Sequence, residues 1–444
     1  MRNIKIICRQ SLLDLSVKHW KKGKVFSNPH IKKNFLKLLQ SKRVHARVKR
    51  KNKKNNILCF CSFTALIVSI GCPICILLSI LVNSYSALTV TKILLPVEIN
   101  ADLILTNNPG DLRYKSISLL NNSLHKVFKG IDFKDSDEIL SRNSYKELER
   151  FFLKRVKNSG EYEIWFTASS VINSLYKNKC LNDHYAKLLD WLKEKGRVRK
   201  FFNKSLFLKS DSREPENAGI LGAFIGSLMT IIVCLALALP IGIMSGICLY
   251  EFMPRNRLIT SIVEISMNNL AAVPSIIFGV VGLTLYLGIF GLPRSSPFVG
   301  GMTLSFMMLP NIIIATKNAF TNVPIAIKDA AFALGAPHIK VILDHSLPIA
   351  LPRIIHGAVL AIARILGESS PLLMIGMVAF IADTPTSFFD PATVLPVQIY
   401  IWSSSPEIAF IELAAIAIIA LLLMLFALNL IANFVKRKFE FFDS

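Results

Sequence analysis

The chain has 444 residues, 52% of them apolar, and its excess of Lys and Arg over Asp and Glu gives a formal net charge of +23. So large an apolar share excludes a soluble protein with one buried core and indicates a membrane protein. The positive charge is concentrated before the first apolar run, which indicates contact with an anionic surface.

Residues 1–56 form a basic arm. The part next to the first apolar run is dense in basic side chains and almost free of acidic ones: Arg43, Arg47, Lys49, Arg50, Lys51, Lys53 and Lys54. Basic tails can bind nucleic acid, but a basic run beside a membrane span more often contacts anionic lipid and fixes orientation. We therefore predict membrane lipid, and no nucleic acid, as the partner of this arm.

Six apolar runs follow the arm. Each is long enough to cross about 30 Å of hydrocarbon, which takes about 20 helical residues. They lie near residues 57–82, 219–250, 262–290, 298–316, 352–380 and 408–435. The sequence therefore predicts an all-α polytopic membrane protein with a first transmembrane helix at 57–82 and a five-helix core at 218–440.

Basic residues at the span ends predict the orientation, because Lys and Arg near a span stay on the cytoplasmic side. The arm before the first span and Lys436-Arg437-Lys438 after the last span therefore place both termini in the cytoplasm. With six spans, the Pro254–Arg257 turn and the loop 317–351 also fall inside, and the segment 83–217 falls outside. Long loops translocate largely regardless of charge, so the lysines of 83–217 do not contradict this.

The segment 83–217 is predicted to be a small extracytoplasmic α+β domain. Apolar and polar residues alternate from Val97 to Leu103, as in a half-buried strand. Apolar residues also recur at helical spacing at Leu148, Phe151, Phe152 and Val156, and again at Tyr185, Leu188, Leu189 and Leu192, with Gly196 as a helix stop. Cys180 is its only cysteine, so no disulfide can form within it.

The sequence indicates no catalytic, cofactor or metal site. No phosphate-binding loop motif occurs, so an energy source must lie on a partner. Cys72 and Cys75 have redox spacing but lack a βαβ context, which favours buried structural thiols. The histidines of the inner loop, His338, His345 and His356, lack the spacing to carboxylates that a zinc site needs.

The inner loop has a distinctive pattern: Asp329-Ala330-Ala331, three residues, Gly335, nine residues, His345, one residue, then Leu347-Pro348. A short helix is predicted to stop at Gly335, and the proline marks the return to the bilayer. The pattern resembles the EAA loop of ABC-importer permeases, which docks on an ATPase. Asp329 replaces the family's Glu with a shorter acid, and His345 replaces an apolar residue.

Three further stretches are similar to the phosphate-specific permeases of the PstA type. They are Asn269–Gly279 (NLAAVPSIIFG), Ala363–Leu373 (ARILGESSPLL) and Gly246–Glu251 (GICLYE). The resemblance covers about residues 216–440. It implies a non-catalytic inner-membrane subunit that pairs with a second related permease subunit, two cytoplasmic ABC ATPase subunits and a periplasmic phosphate-binding protein.

Arg364 and Glu368 are predicted to line the phosphate path near the middle of the fifth span. Ionisable residues at membrane depth usually mark function, and an arginine offers a planar fork of donors matched to phosphate oxygens. A structural reading is also open, since residues one helical turn apart can neutralise each other. For Pro274 and Pro310 within spans, and for Asn269 and Asn311, structural and pathway roles both remain open.

Two other functions are compatible with the sequence. One is a permease for another oxyanion such as sulfate or molybdate, because the binding protein performs most of the selection. The other is a self-contained channel or secondary transporter, in which the inner loop is only a connector. Inverted repeats of broken helices, which would favour the latter, are not clear in the sequence.

Overall fold

The computed structural model describes residues 42–99, 109–128, 139–155, 160–177, 183–253, 258–378 and 380–440. These residues belong to two compact units, which divide between Leu77 and Leu78. Several predicted features lie outside the described residues: most of the basic arm, the end of the predicted strand after Ile99, Val156, Cys180 and the Pro254–Arg257 turn.

Helix α1 (Lys42–Ala87) is longer than the predicted first span, and it begins within the basic arm. Its portion Asn55–Ala87 is long and apolar enough to cross a membrane. The predicted burial of Cys72 and Cys75 is wrong, because both are free and exposed thiols on this helix. No residue in the most apolar window of this helix is buried within the described chain, so both thiols are exposed whichever face they occupy.

The segment after α1 contains both strands and helices. They are β1 (Thr89–Ile99), α2 (Pro109–Val127), α3 (Ser144–Arg155), β2 (Gly160–Thr167), α4 (Ser170–Tyr176), α5 (Asp183–Glu194), β3 (Val198–Phe202) and α6 (Ser205–Leu208). The strands form an antiparallel sheet in the order β2-β1-β3. In this register Ile93 of the central strand faces Phe166 on one side and Val198 on the other.

An apolar cluster lies beneath this sheet. Alternate residues of β1 enter it, namely Ile93, Leu95, Val97 and Ile99, together with Leu148 of α3 and the apolar face of α5. The alternation thus begins earlier than the predicted strand at Val97. Its first half was missed because Ile93-Leu94-Leu95-Pro96 reads as a continuous apolar run.

Gly196 ends α5 as predicted. It has a φ of +65°, the left-handed conformation that glycine adopts without strain. The N–H of Arg197 donates to the carbonyl of Leu192, and the N–H of Gly196 donates to that of Lys193. These two bonds form a Schellman motif, which satisfies carbonyls at the helix end.

The remaining chain is almost entirely helical. Its helices are α7 (Leu221–Ile247), α8 (Leu258–Ala271), α9 (Ser275–Gly282), α10 (Pro297–Thr321), α11 (Ile325–Ala333), α12 (His338–Lys340), α13 (Leu347–Leu366), α14 (Ser370–Met374), α15 (Leu395–Ser403) and α16 (Ile408–Glu440). Three wider π-helical segments extend them at Cys248–Phe252, Leu283–Ile289 and Val341–Ser346.

Within the described residues, five helices are long and apolar enough to cross a membrane, or six spans if one bent pair counts as one. The bent pair is Leu258–Ala271 with Ser275–Ile289, whose axes differ by 95°. The predicted continuous run 262–290 is therefore broken. Pro274 lies at the break, where its missing N–H and its ring prevent the helix from continuing.

The fifth predicted span is displaced. The long helix runs from His338 to Leu366, through α12, the π-helical segment and α13, instead of from 352 to 380. It ends at Gly367, and only the short α14 follows within the predicted run. The prolines at 348 and 352 did not delay the helix start, because proline is tolerated in the first turn and kinks are tolerated in membrane helices.

Small residues allow the membrane helices to pack closely around α10, which has the largest buried share of the long apolar helices that the structure describes. A Cβ added to Gly246 of α7 would lie 2.5 Å from Thr316 Cβ of α10, and one added to Gly357 of α13 would lie 2.4 Å from Ala315 Cβ. Glycines at these crossings therefore let the backbones approach, as is common between membrane helices.

Candidate functional site

The inner loop contains the short exposed helix that its pattern predicted. Helix α11 carries Asp329, Ala330 and Ala331, of which the first two are exposed and Ala331 is buried. The helix ends at Ala333, and Gly335 follows with a φ of +80°. The N–H groups of Gly335 and Ala336 donate to the carbonyls of Phe332 and Ala331, which is again a Schellman motif.

Large apolar side chains surround this helix end and face solvent. Leu334 is 89% exposed, and the others are Ile325, Phe332, Ile339 and Leu343. A contiguous group of exposed apolar residues on a loop is typical of a protein interaction site. We call these five residues the loop apolar surface.

A buried charged contact attaches α11 to the end of the neighbouring membrane helix. Lys328 of α11 forms an ion pair with Glu251, which lies in the π-helical extension of α7. The two side chains are only 13% and 10% exposed. Lys328 Nζ also lies 4.6 Å from the centre of the Tyr250 ring, a cation–π distance.

His338 extends this contact on its other side. Its Nε2 atom lies 3.8 Å from Glu251 Oε2, and its ring contacts those of Phe252 and Phe332. Glu251 is therefore flanked by one ammonium and one imidazole. No local pattern in the sequence predicts this cluster, because Glu251 and Lys328 are 77 positions apart.

The loop leads without a break into a membrane helix. Leu347 and Pro348, which end the loop pattern, form the first turn of α13 and are half-buried. Below them an apolar cluster joins the end of α10 to the start of α13 through Phe320, Ile342 and Ile354. A force applied to α11 therefore acts on α7 through Glu251 and on α13 through the continuous chain.

Arg364 and Glu368 do not form the neutralising pair that the structural reading allowed. Arg364 is exposed in the last turn of α13, away from the middle of the helix, and Glu368 is half-buried beyond the helix end at Gly367. No hydrogen bond or ion pair joins their side chains in the part of the chain that the structure describes. The assumed spacing of one helical turn is wrong because the helix ends at Gly367, and the role of the two residues in the phosphate path stays a prediction.

Two of the sequence motifs meet in the structure. Gly279 of α9 lies against α14, and a Cβ added there would be 2.7 Å from Pro371 Cα. The segments Asn269–Gly279 and Ala363–Leu373 are thus in direct backbone contact. This contact fixes the chain that follows Arg364 and Glu368 against the bent pair.

One cavity of about 30 Å³ lies among α7, α10 and α13. Its lining is apolar apart from Ser227, Thr230 and Cys234, and no charged side chain contributes to it. An oxyanion needs positive charge or several hydrogen-bond donors. This cavity is therefore a packing defect of the helix core and does not suit an anion.

Two family models and a solved structure are similar to parts of the chain. A family model described as "Binding-protein-dependent transport system inner membrane component" matches residues 238–441. A second, "Domain of unknown function (DUF3333)", matches residues 45–185. The inward-facing MetNI methionine ABC transporter is similar at 20% identity with a TM-score of 0.40, over 50% of this chain and 95% of that chain.

Curated relatives are closer in sequence. The phosphate transport system permease protein PstA of Mycobacterium leprae is 32% identical over 48% of this chain and 68% of the relative. PstA of Pasteurella multocida is 31% identical over 50% of this chain and 79% of the relative. The family model that matches residues 238–441 gives the class, namely membrane components of binding-protein-dependent transport systems. Within that class, the chain belongs to the family of PstA phosphate transport system permease proteins.

Proposed function

We propose that this chain is the permease subunit of an ATP-driven ABC importer and that it translocates inorganic phosphate delivered by a periplasmic binding protein. Its relatives are named phosphate transport system permease proteins. The described residues supply two parts that such a subunit needs, namely a bundle of apolar helices and an exposed loop helix. The chain itself performs no catalysis in this scheme, because a partner ATPase hydrolyses ATP.

The loop is the observation that carries the proposal. The loop apolar surface is exposed to solvent, and Leu334 alone is 89% exposed. Such exposure of large apolar side chains is unfavourable unless a partner covers them. Burying such a surface against a partner gains about 25 cal/mol per Å² of apolar area. We propose that two cytoplasmic ATPase subunits dock here and on the equivalent loop of a second, related permease subunit.

The buried contacts of the loop explain how ATP binding would change access to the path. Closure of the ATPase pair would displace α11. Because Lys328 and Glu251 attach α11 to α7, and because the loop continues into α13, two membrane helices would move with it. A loop attached only through flexible chain would not transmit this displacement.

The orientation follows from this docking. We propose that the loop and both termini lie in the cytoplasm, that the protein resides in the bacterial inner membrane, and that the bent pair counts as one of six spans. The segment 83–217, with its three-stranded sheet, is then an extracytoplasmic α+β domain. An extracytoplasmic position would suit contact with the binding protein.

We further propose that Arg364 lines the phosphate path, with Glu368 nearby. An exposed arginine on an apolar helix is costly against lipid, so it must face water or a partner subunit. Arg364 is exposed in the isolated chain, which suits a path at the boundary with the second permease subunit. Glu368 then limits how tightly the anion is held without neutralising Arg364 directly.

Transport by the reconstituted complex tests the proposal. The chain would be placed in proteoliposomes with its second permease subunit, its ATPase and its binding protein. ATP-dependent uptake of labelled phosphate, with excess unlabelled sulfate or molybdate as competitors, is measured. Phosphate uptake that resists both competitors supports the proposal. Uptake without the ATPase would contradict it and would identify a channel or secondary transporter.

A further inference from the structure

A small polar cavity lies where the strand-containing segment meets the last membrane helix. Its volume is about 20 Å³, enough for one water molecule. Residues from β1, α4, the chain before α7 and the start of α16 line it; those used below are Lys177, Glu216 and Glu412. This cavity is separate from the loop at the other end of α7.

Lys177 and Glu412 form a buried ion pair on one wall of the cavity. The Lys177 Nζ to Glu412 Oε2 distance is 3.2 Å, and the side chains are 5% and 7% exposed. Lys177 Nζ also donates to the carbonyl of Ser86 at 2.7 Å, and Ser86 Oγ donates to Glu412 Oε1 at 3.0 Å. The charge of Glu412 is therefore compensated by Lys177.

Glu216 faces the same cavity without such compensation. Its residue exposure is 8%, and its Oε2 atom makes no hydrogen bond within the described chain. The other charged groups that line the cavity are Lys177, which follows α4, and Glu412 on α16. Two further carboxylates lie near Glu216, namely Glu407 just before α16 and Glu214 on its own loop. Glu214 is hydrogen-bonded by Ser141, Asn143 and Asn217.

The Glu216 carboxyl is nearly out of contact with water, and one of its two oxygens has no hydrogen-bond partner among the described residues. Its nearest acidic neighbours, Glu214 and Glu407, further disfavour a negative charge at this place. An uncompensated buried charge costs several kcal/mol, and a buried acid normally takes up a proton instead. A neutral Glu216 also gains an O–H donor, which its unpaired oxygen can direct at a water in the cavity.

We infer that Glu216 is a proton-binding site that makes the attachment of the strand-containing segment to α16 dependent on pH. With the proton bound, the segment and the helix pack around a neutral carboxyl. Loss of that proton leaves a buried carboxylate at the same contact, with Glu214 and Glu407 as its acidic neighbours. This inference rests on the placement of side chains and not on the substrate of the transporter.

The titration of Glu216 falls in a useful range, because burial raises the pKa of its carboxyl from 4.5 to about 7. The folded chain therefore binds more protons than the unfolded chain between these two values. Stability must then fall as pH rises from about 4.5 to about 7, and the full contribution of the proton is present only below that window. The contact would loosen as the surrounding pH passes neutrality.

The pH dependence of melting tests the inference on the full purified chain in detergent. The melting temperature is measured from pH 5 to pH 8.5 for the wild type, for Glu216→Gln and for Glu163→Gln. Gln has nearly the shape of the protonated acid, whereas Glu163 is an exposed carboxylate on β2 that does not contribute to the raised pKa of Glu216. We expect the wild type and Glu163→Gln to lose several °C as pH rises through 7, and Glu216→Gln to lose much less.

Infrared spectroscopy supplies a readout that does not depend on stability. The wild type should show a protonated-carboxyl band below pH 7 that disappears above it and is absent from Glu216→Gln. The same pH slope of melting in the wild type and in Glu216→Gln, or no such band, would overturn the inference. Recovery of the melting temperature at pH 8 by added K⁺ would also overturn it and would identify a cation site instead.

Discussion

The two ends of α7 hold buried carboxylates in opposite charge environments. At the end next to the loop, Glu251 has both the ammonium of Lys328 and the imidazole of His338 beside it. Near the other end, Glu216 is buried and its Oε2 atom has no hydrogen-bond partner among the described residues. The first carboxylate is paired, whereas burial raises the pKa of the second.

The difference shows that the burial of a carboxylate does not by itself determine its role. A buried pair costs desolvation energy and seldom adds net stability, but removing one partner leaves an uncompensated charge. Glu251 and Lys328 therefore suit a rigid attachment that must hold at any pH. Glu216 suits an attachment that changes with pH, because burial raises the pKa of its carboxyl to about 7.

The largest expected effect is at the compensated end. Glu251→Gln leaves Lys328 buried without its partner, and losses of about 3–5 kcal/mol are typical for such changes. We expect loss of ATP-driven phosphate uptake and partial recovery of stability in the double variant Glu251→Gln, Lys328→Met. A double-mutant cycle on melting temperature and uptake measures both.

A matched control for that cycle is the half-exposed ion pair between Lys317 and Glu264, which are 2.6 Å apart. Its side chains are 29% and 35% exposed, so solvent screens the pair and its contribution is about 0–1 kcal/mol. Equal losses from Glu264→Gln and Glu251→Gln would contradict the special role of the buried contact.

At the other end, Lys177→Met removes the ammonium that pairs with Glu412. We expect a loss of about 3 kcal/mol that becomes smaller at acid pH, where Glu216 and then Glu412 can be neutralised. Melting temperatures at pH 5.5 and pH 8 measure the difference. A loss that is independent of pH would show that packing of the Lys177 stem, and not charge, stabilises the contact.

A smaller effect separates the glycines that end α11 and α5. Gly335 and Gly196 both have positive φ, and a Cβ would meet no atom within 4 Å at either position. Gly335→Val and Gly196→Val should therefore each cost about 1–2 kcal/mol of backbone strain. Only Gly335→Val should reduce phosphate uptake per ATP hydrolysed, and an equal reduction from both variants would remove the loop from the mechanism.

Arg364 should have the smallest effect on stability and a large one on transport. Because its side chain is exposed and does not pair with Glu368, Arg364→Gln should leave the melting temperature unchanged while uptake is lost at all phosphate concentrations. Glu368→Gln should lower the maximal rate more than the apparent affinity. Normal uptake in the double variant would instead remove both residues from the phosphate path.

The features that the sequence predicted correctly are local ones. The ends of α11 and α5 depend on one glycine and the residues just before it, so Gly335 and Gly196 were identified from the pattern alone. The class of protein also follows from apolar runs, although Pro274 indicated a break without its 95° bend. Bend angles depend on the packing of both halves against other helices.

The features that were missed depend on distant parts of the chain. Glu251 lies 77 positions from Lys328, and Lys177 lies 235 positions from Glu412. Charge compensation of this kind is decided by tertiary packing and leaves no periodic signal. Arg364 and Glu368 show the opposite error, in which a spacing typical of a helix was applied across a residue that ends one.

Docking of the ATPase on the loop apolar surface is the central claim, and Leu334→Asp tests it most directly. Leu334 is 89% exposed and Leu208 of α6 is 71% exposed, so neither substitution should disturb packing within the chain, and Leu208→Asp serves as the control. The measurement is co-purification of the cytoplasmic ATPase with the membrane-inserted chain. We predict that Leu334→Asp abolishes co-purification and that Leu208→Asp retains it. Retention of the ATPase by Leu334→Asp at the wild-type level would contradict the account.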